Sequence, residues 1–122
     1  MTQEEKQLLL KDLCVRLPYG VKVHTWYNKP IDIKCTGVDV YTNVVNLDIP
    51  EDDAKVYIDN VKPYLRPMSS MTEEEERELE ETLQYTQFTL ESYDWLNTHH
   101  FNYRGLIEKG LALEAKPEMY KI

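Results

Sequence analysis

Cysteine, glycine and long apolar runs are scarce in this chain, and each scarcity excludes something. Its two cysteines, Cys14 and Cys35, are too few for the bridge framework of a small secreted domain and read as reduced, buried thiols. No apolar run exceeds three residues, as at Leu8–Leu10, which leaves no candidate membrane-spanning helix. The start Thr2-Gln3-Glu4-Glu5 lacks the basic and apolar regions of a secretory signal, so the expected location is cytoplasmic. Basic residues are outnumbered, 14 Lys and Arg against 22 Asp and Glu, for a net charge of −8. That balance argues against direct nucleic-acid binding, above all to duplexes, and against an anionic membrane, since both need a clustered basic surface. Neither His-x-x-x-His nor Cys-x-x-Cys occurs, and no phosphate-cradling glycine loop is present. No metal or cofactor is therefore expected.

What is present describes a single folded domain of 122 residues, 42% hydrophobic and 30% charged, with nine tyrosines and two tryptophans. Its charge is unevenly distributed. Between Glu73 and Asp94 stand nine carboxylates and one base, Arg77, while the remaining hundred residues balance to zero. The acidity belongs to one predicted helix and its continuation.

Hydrophobic periodicity supplies the elements. Thr2 and Glu5 form a capping box, and Leu9, Leu10, Leu13, Cys14 and Leu17 recur at helical spacing, predicting a helix over 1–17 that Pro18 and Gly20 end. From Val21 the period becomes two, with Val21, Val23, Thr25 and Tyr27 on one face and Lys22, His24 and Trp26 on the other. Ile31, Ile33 and Cys35 continue after a turn, Gly37 marks a bulge or a turn, and Val45, Leu47 and Ile49 alternate up to Pro50. Val56 and Ile58 suggest one more short strand. These runs predict an antiparallel β meander over 20–59, because the connections are too short for helical crossovers. Pro63 and Pro67 predict an extended linker over 60–71 without regular structure, pinned by Tyr64 and Leu65. Residues 72–113 read as the helical part. Ser70 and Thr72 are candidate caps, Leu79 and Leu83 are inward anchors, a break falls across Tyr85–Thr89, and Ser92 caps a shorter helix. The tail, 114–122, reads as loosely held after Pro117.

Four groups of residues carry candidate chemistry. His99 and His100 are adjacent, so on a helix they diverge by about 100° and do not form the three- or four-spaced pair of a helical metal site. Cys14 and Cys35 fall on apolar faces and read as core, which argues against a thiol nucleophile. Glu73, Glu74, Glu75 and Glu76 form a dipole-matched first helical turn and a candidate acidic surface; as a glycosidase-type pair they would need a cleft and two unlike environments. The tract from Asp94 to Ile107 is dense in aromatic and hydrogen-bonding side chains. Either Trp95, Phe101 and Tyr103 complete the core, or Trp95, His99, Tyr103 and Arg104 form an interaction surface of the Trp, Tyr and Arg kind that dominates protein contacts.

Three stretches, Leu10–Lys22, Val61–Thr72 and Trp95–Ala115, are similar to a family of small uncharacterised proteins encoded in gut bacteria and their prophages or mobile elements. Together they cover a little over a third of the chain. The resemblance implies a single-domain accessory protein and carries over no catalytic residue, ligand or partner.

The expectation is an α+β domain: an N-terminal helix on a meander of three to five antiparallel strands, an SH3-like partial barrel being the main variant, with helices following. A non-enzymatic protein-binding module is the leading function. An acidic inhibitor or nucleic-acid mimic is the first alternative, and a small enzyme joining His99 or His100 with Cys35 or Asp94 is the second. An unpaired edge strand or an exposed aromatic tract fits a homodimer as well as a partner in trans.

Overall fold

The computed structural model describes residues 1–120. Helix α1 (Gln3–Arg16) starts where the capping box places it: the Thr2 hydroxyl accepts from the Glu5 amide at 3.1 Å, and the Glu5 carboxylate accepts from the Thr2 amide at 2.8 Å. Strands β1 (Lys22–Trp26), β2 (Pro30–Asp39), β3 (Val44–Leu47) and β4 (Lys55–Tyr57) form the antiparallel meander. In β2 the pairing slips between Cys35 and Gly37, so the glycine marks a bulge and not a turn; a Cβ on Gly37 would stand 2.7 Å from the Asn46 amide nitrogen. Leu9, Leu10 and Leu13 of α1 are buried against Val21, Val23, Cys35, Val45 and Leu47, so the helix covers one face of the sheet. The architecture is α+β.

Two segments depart from expectation. Residues 62–65, predicted to be linker, form β5 (Lys62–Leu65) and lie between β1 and the two-residue β6 (Leu113–Glu114), giving the order β4-β3-β2-β1-β5-β6. Pro63 limits the pairing without preventing it: β1 and β5 share only two residue pairs, and a strand that short loses little to one missing donor. Strand β6 runs parallel to β5 and does not meet β4, so the sheet stays open and the SH3-like barrel does not form.

The second departure lies in the helical part, at the cap of its second helix; the break across Tyr85–Thr89 falls where it is expected. Helices α2 (Glu73–Glu81) and α3 (Leu90–Thr98) are joined by a tight turn in which Tyr85 and Thr86 both adopt left-handed backbone, with φ of 52° and 64°. Thr89, not Ser92, caps α3; Ser92 sits three residues in, where its hydroxyl completes the box and accepts from Thr82 at 2.8 Å. Leu79, Leu96 and Phe101 form a second small core, with Met71, Trp95 and Tyr103 packed at its margin. The helical lobe joins the sheet through Arg66 and Phe101: the Arg66 amide donates to the His100 carbonyl and its own carbonyl accepts from the Asn102 amide, both at 2.8 Å. In the tail, Lys121 and Ile122 lie outside the described residues. Tyr120 is anchored, its hydroxyl accepting from the Lys22 amide at 2.8 Å and donating to the Tyr64 carbonyl at 2.7 Å. Among the described residues no helix is long and apolar enough to cross a membrane.

Candidate functional site

The sequence hides its most constrained side chains on α1. Asp12 and Arg16, one helical turn apart, are fully buried where α1 meets the helical lobe. The Asp12 carboxylate accepts from Arg16 Nε at 2.8 Å and Nη2 at 3.2 Å, and the same Nη2 donates to the Phe101 carbonyl at 2.6 Å. Arg104 Nε lies 3.2 Å from Asp12 Oδ1, the oxygen that also accepts from Arg16 Nη2, close enough for charge attraction but out of line for a hydrogen bond. Both guanidinium groups stand within cation–π reach of the Tyr103 ring, at 5.4 and 5.1 Å. Asp12 is thus the anion that lets two arginines and an aromatic ring close the junction. The i, i+4 spacing of an acid and a base beside an apolar stripe was the available signal.

A second arginine–carboxylate clamp lies on the other side of Phe101. Arg66 donates to both oxygens of Glu75 at 2.7 Å and stacks over the Phe101 ring at 4.2 Å. That clamp and the Thr72 cap hold the Glu75 carboxyl down at about 2. Glu75 therefore separates from the rest of the candidate acidic surface: Glu73, Glu74 and Glu76 are exposed, while Glu75 is structural.

Beside the Asp12 cluster, α1 and α3 leave a groove of about 600 Å³ lined by Cys14, Val15, Pro18, Leu90, Tyr93, Asp94, Asn97, Tyr103 and Arg104. Its mouth is apolar and open to solvent. Leu90 is 86% exposed, Tyr93 42% and Phe88 44%, and the rings of Phe88 and Tyr93 meet edge to face at 5.5 Å. Leu90 points outward because the Thr89 cap places it at the first helical position. Cys14, read as core, is half-buried on the groove wall.

The four candidate interaction residues divide. Tyr103 and Arg104 line the groove, and the Tyr103 hydroxyl donates to Asn97 Oδ1 at 2.9 Å. Trp95 and His99 face the other way. The two rings stack at 4.0 Å, Trp95 lies parallel to Phe101 at 5.7 Å, and His99 approaches Glu78 at 4.0 Å. All four are half-buried.

The side chains of the enzymatic alternative are not brought together. Cys35 is buried in the sheet core, where desolvation pushes its thiol up to about 11. Asp94 lines the α1–α3 groove, whereas His100 lines a separate hollow of about 370 Å³ with Tyr19, Lys22 and Tyr120. The His100 ring stacks on Tyr120 at 3.8 Å, its Nδ1 has no partner among the described residues, and burial beside Arg16 lowers it to about 4. Among the described residues no three His, Cys, Asp or Glu side chains gather to hold a metal ion. Compared with family models, curated proteins and solved structures, the chain matches none.

Proposed function

We propose that this protein is a non-enzymatic binding module whose α1–α3 groove receives an apolar anchor from a protein partner. The observation that carries the reading is the exposure of Leu90 and Tyr93 at the mouth of a preformed groove with aromatic and arginine walls. Large apolar side chains grouped around a concavity, with buried supports beneath, are the usual makings of a contact hot spot. The support is rigid here, because Tyr103 and Arg104 are fixed from behind by Asn97 and Asp12.

The experiment places a photo-crosslinking residue at Leu90 and, as a control, at exposed Glu51 in the native host. A single partner captured at Leu90 and absent at Glu51 supports the reading, and Tyr93→Ala then abolishes capture without altering the melt. Equal capture at both positions defeats it. A second reading, an acidic inhibitor acting through α2, is favoured by the exposure of Glu73, Glu74, Glu76, Glu78 and Glu80. Salt separates the two: contact through α2 weakens steeply with ionic strength and is lost in a Glu73→Gln/Glu74→Gln/Glu76→Gln variant, whereas contact through the groove survives both.

A further inference from the structure

The face of the sheet turned away from α1 carries charge of the opposite sign to the chain as a whole. On this face β1 presents Lys22, His24 and Trp26, β2 presents Pro30, Asp32 and Lys34, and β5 presents Lys62 and Tyr64. Lys116 reaches across it from the tail. Four lysines thus share this part of the surface with two carboxylates, Asp32 and Asp48, the latter next to Lys34 just past the end of β3, in a chain of 14 bases and 22 acids.

Asp32 is already engaged. Asp32 accepts from the Tyr64 hydroxyl and Lys116 Nζ at 2.7 Å each, and pairs with His24 Nδ1 at 2.7 Å. Lys22, Lys34 and Lys62 form no ion pair among the described residues. Lys22 and Lys34 are also direct cross-strand partners, an arrangement that costs stability by like-charge repulsion. Lys22 Nζ donates to the Met119 carbonyl at 3.4 Å, while Lys34 and Lys62 are exposed and open to an anion from outside. Trp26, 64% exposed at the end of the same strand, adds a bare aromatic plane.

We propose that this lysine and tryptophan face binds single-stranded nucleic acid, with phosphates on Lys22, Lys34 and Lys62 and a base stacked on Trp26. A basic strand surface with an exposed ring is the platform on which single strands lie, because every base has a π-face and every nucleotide a phosphate. The net charge of −8 does not forbid it: the glutamates concentrate on α2, in the helical lobe, and screening confines their repulsion to about 10 Å at 0.1 M salt. The proposal is independent of the groove reading and uses another surface.

The test is fluorescence anisotropy of a labelled oligothymidine, about twelve nucleotides long, titrated with the full chain at several salt concentrations. Three phosphate contacts predict a log–log salt slope of about −2, and Trp26→Ala lowers affinity roughly 5- to 100-fold. Lys34→Gln/Lys62→Gln abolishes binding while the melting temperature stays close to that of the parent, since both side chains are exposed and form no ion pair among the described residues. Absence of binding at low salt overturns the proposal, as does binding that the variants leave unchanged. Equal affinity for polyglutamate also overturns it, because the face would then be a general surface for anions or acidic peptides.

Discussion

The glutamates of α2 and the Asp12–Arg16–Arg104 cluster beneath α1 are both dense in charge, and they stand at opposite ends of the scale of burial. Helix α2 carries seven glutamates, nearly all in water, where each has its full hydration and the four in the first turn lie against the positive end of the helix dipole. Asp12 and Arg16 have no exposure at all. Without water, an ion depends on its partners, and removal of one leaves an uncompensated charge in a low-dielectric site. The count of charges thus says little about what holds the molecule together. Between these extremes lie His100 and Glu75, and the four sites form a graded series.

The largest effect is expected at Asp12. Asp12→Ala strands two guanidinium groups at the junction and should destabilise the protein by about 3–5 kcal/mol in urea unfolding followed by circular dichroism. The double variant Asp12→Leu/Arg16→Met, which removes anion and cation together, should recover a large part of that loss. If the single variant is as stable as the parent, burial does not set the ranking.

Next comes His100. Its folded-state value is depressed to about 4 from an ordinary value near 6.5. The unfolded chain therefore takes up a proton that the folded chain refuses, and stability complete above about pH 6.5 falls as pH drops toward 4. Full expression of that shift corresponds to about 3 kcal/mol. His100→Asn, which tolerates the left-handed backbone at this position, should flatten the stability profile between pH 6.5 and 4. An unchanged slope in the variant would assign the acid sensitivity to other groups.

These sites also show why part of the molecule was readable in the sequence and part was not. Helix α1, the meander and the Gly37 bulge are local statements: a capping box, a period of two and a glycine carry them. Strand β5 is not local, since Pro63 speaks against a strand and only the fit of Val61 and Leu65 into the sheet core overrides it. In the candidate site, Tyr103 and Arg104 were visible as residue types, but whether they faced solvent or Asp12 depended on a contact between residues more than ninety positions apart. Leu90 escaped because a leucine beside a helix start reads as an anchor, and its outward direction is fixed by the cap before it. The Lys22–Lys34 opposition was equally hidden, because it exists only in the hairpin register.

Glu75 comes third. Its carboxyl is held at about 2 by the bidentate Arg66 contact and the Thr72 cap, so its contribution is present above about pH 4.5 and lost as pH falls toward 2. Both partners keep some water, at 20% and 16% side-chain exposure, which places the cost of Glu75→Gln at about 1–2 kcal/mol, below the cost at Asp12. Thermal melts at pH 7 and pH 3 test the assignment: the deficit of the variant should shrink at the lower pH, and a constant deficit would mean that packing over Phe101, not charge, is what Glu75 provides.

The smallest effect belongs to the feature most conspicuous in the sequence. Glu73→Gln/Glu74→Gln/Glu76→Gln removes three exposed charges, and two physical terms oppose each other in it. Loss of the favourable dipole interaction weakens the helix start by a few tenths of a kcal/mol per residue, while relief of repulsion among neighbouring carboxylates returns a similar amount. The net change should stay within about 0.5 kcal/mol, and adding 0.5 M salt should shrink even that, since these charges are separated by solvent that screens them. A triple variant that melts well below the parent in both low and high salt would mean that the run is packed against something, and the distinction between buried and displayed charge would fail at its displayed end.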